Sequence, residues 1–201
     1  MEIKCINFGG MGANCYLVET QDVRIVIDPF QIDNRIEEFL SSEKPKFVFL
    51  THCHFDHILG AEEIRKKCGA KIAIGEHDAI GLTDPYFSLS EMAGFNQKPF
   101  SADILFENGQ VFEVGATKIK VLHTPGHTAG SVCYFLEDII FTGDTLFEGT
   151  IGRTDFPTGD FAVINKSLKM LKDLKEDYKI YSGHGLSTTL SREKLTNPYL
   201  I

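Results

Sequence analysis

The segment Thr51-His52-Cys53-His54-Phe55-Asp56-His57 packs three imidazoles and a carboxylate into six consecutive positions, in a chain with seven histidines in all. Imidazole and carboxylate are the ligands that borderline divalent ions such as Zn²⁺ favour, and a catalytic site keeps a position open for water. In an extended stretch, residues two apart point the same way. His52 and His54 can therefore grip one ion while Cys53 points away. After a turn, Asp56 and His57 can face a second ion from the opposite side.

Further ligands are offered downstream. His127 lies in the turn Thr124-Pro125-Gly126-His127-Thr128, Asp144 in Thr142-Gly143-Asp144-Thr145, and His184 in Ser182-Gly183-His184-Gly185. Glycine beside each lets backbone approach a crowded centre. If Asp144 bridges, each of two ions can reach four histidine or carboxylate ligands. His77 and His123 are left over: His77 is expected to cap a helix, and His123 to be structural.

The elements that must carry these residues are legible from pattern. Two strands within 3–20 are joined at Gly9-Gly10-Met11-Gly12, and a buried strand spans 23–28. A short helix over 34–40 is capped by Asn34 and buries Ile36, Phe39 and Leu40 on one face. A strand at 46–51 leads directly into the histidine cluster. A helix at 61–68 stops at Gly69, and a strand follows at 71–74. Residues 84–101 are irregular, broken by Pro85 and Pro99 and studded with Phe87, Met92, Phe95 and Phe100, so they either wall a pocket or pack into the core. Strands are predicted at 110–114, 117–123, 131–136, 139–142 and 179–182, an amphipathic helix at 161–174, and a short helix at 191–195. Helices alternate with strand-only stretches, which suits two sheets sandwiched between helices rather than one parallel sheet.

Composition narrows the partners. The 201 residues carry a net charge of -8, and an acidic surface repels phosphate backbones, so no nucleic-acid partner is expected. Lys166, Lys169, Lys172 and Lys175 read as a solvated helix face. No apolar run is long enough for a bilayer, so no membrane partner is expected. The N-terminus lacks the layout of a secretory signal, which points to the cytoplasm. Five irregularly spaced cysteines read as reduced thiols. Oligomeric state is not readable.

The order HxHxDH, PGHT, GD and SGH resembles the metallo-β-lactamase superfamily, and within it the short bacterial glyoxalase II-like (hydroxyacylglutathione hydrolase-like) proteins. The segment from Phe147 through Gly152-Arg153-Thr154-Asp155-Phe156-Pro157 and the ending Asn197-Pro198-Tyr199-Leu200 are similar to that subgroup too, and GRTDF is shared with persulfide dioxygenases. The resemblance implies an α/β fold, a four-layer αββα sandwich of two mixed β-sheets packed between helices. It assigns His52, His54, His127 and Asp144 to one ion, and Asp56, His57, His184 and the same Asp144 to the other. Full-length glyoxalase II has a helical domain after its last histidine ligand. Residues 185–201 alone follow His184 here, so the expectation is one domain over 1–201 without that addition.

The expected chemistry follows. Water bridging two dications, Zn or else Fe or Mn, loses its proton near neutral pH, and the hydroxide can attack a carbonyl. Asp56 and Asp144 are the catalytic candidates, orienting the hydroxide and taking up its proton. An amide nitrogen must be protonated to leave, whereas a thiolate, with a thiol pKa of about 8.5, need not be. Asp155 could supply an acid, but Arg153-Thr154-Asp155 reads better as an ion pair. The expected substrate is thus a small-molecule thioester such as S-lactoylglutathione. The alternatives are a mononuclear iron persulfide dioxygenase using His52, His127 and Asp144, or a lactonase or other ester hydrolase.

Overall fold

In the computed structural model, which describes residues 1–10 and 12–201, alternation along the strands sets the layers. In β2 (Asn14–Glu19), Cys15 and Leu17 face one core cluster while Tyr16 and Val18 face another. In β4 (Phe47–Leu50), Val48 and Leu50 take the first side and Phe47 and Phe49 the second. A strand with both faces buried belongs to a sheet covered on both sides. That sheet holds six strands in the order β1 (Glu2–Asn7), β2, β3 (Arg24–Ile27), β4, β5 (Lys71–Gly75), β6 (Ile104–Phe106). It is antiparallel through β3 and parallel from β3 to β6.

The second sheet follows the same logic. In β9 (Val132–Leu136), Cys133 and Phe135 face outward to a third cluster, and Val132, Tyr134 and Leu136 face the first sheet. Its six strands run β12 (Thr188–Thr189), β11 (Lys179–Ser182), β10 (Ile139–Gly143), β9, β8 (Thr117–His123), β7 (Val111–Val114). Only the β10–β11 pair is parallel.

Helices cover the outer faces. Ile36 and Leu40 of α1 (Asn34–Ser42) and Ile64 of α3 (Ala61–Cys68) join the first sheet's outer core. Ile164, Leu168 and Leu171 of α4 (Phe161–Lys172) and Leu190 of α5 (Leu190–Thr196) join the second sheet's. The result is the expected four-layer αββα sandwich of mixed sheets. Among the described residues no helix is long and apolar enough to cross a membrane. The lysines at 166, 169, 172 and 175 are exposed.

Some local expectations change. The cap of α1 is Asp33, whose carboxylate accepts from the Arg35 and Ile36 amides, so Asn34 is the first helical residue instead of the cap. His77 caps nothing: it lies inside a 3₁₀ helix, Glu76–Leu82, that starts after Gly75. A four-residue helix, α2 (Phe55–Ile58), carries Asp56 and His57. The turn expected at 9–12 includes Met11, which lies outside the described residues.

Candidate metal centre

The C-terminal ends of parallel strands converge at one end of the sandwich, where open α/β sheets commonly bind ligands. β3 delivers Asp28, β4 leads into His52 and His54, β10 ends beside Asp144, and β11 ends beside His184. His127 arrives on the turn between β8 and β9. The Val132 amide donates to the Thr51 carbonyl and ties that turn to the opposite sheet. All seven predicted residues meet here.

Their spacing is that of a coordination shell. Zn–N bonds of about 2.0–2.1 Å put tetrahedral ligands about 3.3 Å apart. His54 Nδ1 lies 3.1 Å from His52 Nε2 and 2.9 Å from His127 Nε2. Asp56 Oδ2 lies 3.1 Å from His184 Nε2 and 3.6 Å from His57 Nε2. Asp144 sits between the two groups, with Oδ1 at 3.4 Å from His57 Nε2 and Oδ2 at 3.4 Å from His127 Nε2 and 3.6 Å from His184 Nε2. His52, His54 and His127 form one set within ligand reach, His52, His57 and Asp144 another, and Asp56, His57 and His184 a third. His77 and His123 fall outside these sets. His123 Nε2 pairs with the Ala129 carbonyl at 2.8 Å, consistent with a structural role.

The proton positions follow from the partners behind the rings. His57 Nδ1 donates to Asp28 Oδ2 at 2.9 Å, and His127 Nδ1 donates to the Arg153 carbonyl at 2.7 Å. The Thr51 hydroxyl donates to Asp28 Oδ2 at 2.6 Å, so it accepts from His52 Nδ1 at 3.1 Å. These three rings thus turn Nδ1 outward and Nε2 toward the centre, whereas His54 faces it through Nδ1. His57 Nε2 and Asp144 Oδ1 are buried without a hydrogen-bond partner among the described residues. Buried polar atoms of this kind are rare in finished structures, and a cation between them satisfies both. The residues present therefore fit divalent metal.

Electrostatics divides the cluster. Burial, reinforced by the His57 and His54 imidazoles, lowers the pKa of His52 well below the usual histidine value. Burial and His127 do the same to His54. Burial also opposes charge on His57, but the carboxylates of Asp56, Asp28 and Asp144 outweigh it and raise its pKa to about 10. Burial raises Asp56, yet His57 and His184 overcome that and hold it below the usual carboxylate range.

Glycine permits the close approach at two points. A Cβ on Gly183 would stand 2.1 Å from Asp144 Oδ1, and one on Gly143, at φ +48°, would stand 2.4 Å from Thr51 Oγ1.

Sequence reading missed the partners that hold this arrangement. Asp28 accepts from the Thr51 amide at 2.8 Å as well as from the Thr51 hydroxyl and His57. Asp78, on the 3₁₀ helix, accepts from the Cys53 amide, the Thr128 hydroxyl and the Gly130 amide at 2.9, 2.7 and 2.6 Å. It fastens the loop of His52 and His54 to the turn of His127. An aspartate at the end of a buried strand was the one available hint for Asp28. Arg153 and Asp155 do pair, bidentately, at 2.9 and 2.7 Å.

The sequence model of the Metallo-beta-lactamase superfamily matches residues 8–184. The chain belongs to that superfamily. It is 32% identical to a probable metallo-hydrolase, YqgX of Bacillus subtilis, over 96% of this chain and 94% of that one. It is also 32% identical to hydroxyacylglutathione hydrolase GloC of Haemophilus influenzae, over 100% and 98% of the two chains. Among solved structures it is similar to the BLEG-1 B3 metallo-β-lactamase (TM-score 0.89, 31% identity, 99% of both chains). TTHA1623 in a di-iron-bound form follows (0.87, 29%, 98% of this chain and 100% of that one). ETHE1 from Myxococcus xanthus gives 0.81 at 27% identity, over 98% and 84%.

Proposed function

We propose that this chain is a metal-dependent hydrolase holding two divalent ions, with thioesters as its substrates. His52, His54, His127 and Asp144 hold one ion in this reading, and Asp56, His57, His184 and Asp144 the other. The observation that carries it is Asp144, whose two oxygens lie 3.4 Å from nitrogens of the two different histidine groups. Bound dications would acidify a water and polarise a substrate carbonyl. Zn suits the donor set, and Fe or Mn suits it as well; the di-iron form of TTHA1623 supports iron as a candidate.

The protein's own groups have defined tasks. Asp56 is held ionised by His57 and His184, so its carboxylate can accept the proton of an attacking water. Asp144 is the second acceptor beside the same space. Asp28, Thr51 and the Arg153 carbonyl keep the imidazoles oriented. The leaving group decides the substrate. Asp155 stays ionised, its pKa lowered by the Arg153 hydrogen bonds, and so donates no proton. A thiolate leaves without one, with a thiol pKa of about 8.5, whereas an amide nitrogen does not. The similarity to GloC supports the same substrate class.

A second reading is an iron dioxygenase of persulfides, using His52, His127 and Asp144. The Gly152-Arg153-Thr154-Asp155-Phe156 segment, which resembles that of persulfide dioxygenases, favours it. One experiment separates the two. The chain is loaded with zinc or iron, its metal content is measured, and S-lactoylglutathione, other thioesters, lactones, a β-lactam and glutathione persulfide are supplied with oxygen uptake recorded. Oxygen-independent thioester cleavage at two metals per chain is expected. Oxygen uptake with persulfide at one iron per chain would replace the hydrolase with the dioxygenase.

A further inference from the structure

Beside the histidine cluster lies a cleft of about 530 Å³. One wall comes from the irregular 84–101 segment, with Tyr86, Leu89 and Met92, and the other from Phe156 and Pro157. It adjoins the centre directly. The Phe156 ring packs at right angles on His54, with centroids 5.8 Å apart, and Arg153, at its rim, accepts from His127 through its carbonyl. Tyr86 is 59% exposed and Met92 66%. Apolar side chains left open together beside a catalytic centre mark a place for a ligand.

The charges at the rim define what fits. The Arg153 guanidinium gives two hydrogen bonds to Asp155 and lies over the Phe156 ring, 4.1 Å from its centroid. Its charge is committed on both sides. Glu91 is the other charged lining residue, so the cleft offers no unpaired cation for a carboxylate. Both walls also carry strain. Leu89 has φ +64° and Thr158, next to Pro157, has φ +69°. Bulky and β-branched residues seldom adopt this region, and such strain gathers at ligand-binding positions. His184, 34% exposed at its side chain and not part of the cleft's lining, is the cluster's solvent-facing ligand.

We propose that this cleft binds an uncharged aliphatic or aromatic acyl chain, while the polar thiol carrier of the substrate extends past His184 into solvent. The proposal rests on the thioester reading above and sharpens it to apolar acyl-thioesters. Burying a methylene contributes about fourfold in affinity at full burial, and a half-open cleft gives part of that.

Two measurements test it. In the first, the metal-loaded protein with methyl-13C methionine is titrated with 1-octanol and, separately, ethanol. Octanol is expected to shift the Met92 methyl signal and leave that of Met170, on α4, in place. In the second, acetyl, butyryl, hexanoyl and octanoyl thioesters of N-acetylcysteamine are compared by kcat/KM. A rise of about tenfold from butyryl to octanoyl is expected, and Met92→Asp should bring that ratio near one with metal content unchanged. A flat series with measurable turnover, an unaltered ratio in Met92→Asp, or no octanol shift at Met92 would overturn the proposal. Octanol binding at Met92 without cleavage of any thioester would instead sink the thioester reading and leave an apolar cleft.

Discussion

Asp28 serves three donors with two oxygens, one of them the proton of His57. Asn at this position keeps the shape but turns an amide NH2 toward a group that also donates. Removing such a partner behind a metal-binding histidine costs about 10–100-fold in affinity. Asp28→Asn is expected to lose that much at the Asp56–His57–His184 set, read by competition with a chromogenic chelator. Unchanged affinity would mean that Asp28 does not set the His57 proton. Gly183→Ala meets a steric limit, because its Cβ would stand 2.1 Å from Asp144 Oδ1. Its expected outcome is fewer than two metals per chain after gel filtration, and retention of both would refute the crowding argument. The ligands were legible because four of them sit within six positions and three others sit beside glycines. Asp28 and Asp78 were not, because their partners lie 23 to 52 residues away in sequence. Asp28's place after a buried strand is its one local mark, and nothing local distinguishes Asp78 from a surface carboxylate.

The 3₁₀ helix contributes Asp78 as a brace between two loops that both carry ligands. Asp78→Ala leaves the buried Cys53 and Gly130 amides and the Thr128 hydroxyl without their acceptor. An orphaned buried donor costs about 1–3 kcal/mol. A loss of roughly 3 kcal/mol is expected by urea denaturation, with a larger fall in metal affinity than a distant core change of equal cost would give. Leu168→Ala, in the buried face of α4, provides that comparison at about 2–5 kcal/mol. If both variants bind metal equally, Asp78 supports the fold without positioning the centre. Long elements such as α4 and β8 were legible because several turns or alternations accumulate. The three-residue β6, the two-residue β12 and the four-residue α2 were not, since no period can be read from so few residues. Their conformation is imposed by the neighbours they pair with. The cap of α1 shows the same limit: Asp33 and Asn34 are both good caps, and only the path of the chain chooses Asp33.

Across the molecule, the first sheet's loops supply His52, His54, Asp56 and His57, and the second sheet's supply His127, Asp144 and His184. The order of strands and helices made the sandwich legible, but not which loops would face one another, because that depends on how the sheets stack. An ion held by ligands from both sheets joins the two halves at one end of the shared core. Such an ion binds the folded chain and meets no assembled site in the unfolded one. At a free metal concentration a hundred times Kd, this stabilises by about 2.7 kcal/mol. For a chain of this size each kcal/mol moves Tm by about 2–4 °C. Stripping the metals with a chelator is therefore expected to lower Tm by about 5–10 °C, and readdition of zinc or iron should restore it in proportion to the logarithm of free metal. His184→Ala and His127→Ala should each shrink that response, because each removes a ligand from the second sheet's side alone. A Tm indifferent to chelation, in a chain whose bound metal has been measured before and after, would mean that the unfolded chain holds the ions as well as the folded one, through the local His52–His57 cluster, and would break the link between the two halves.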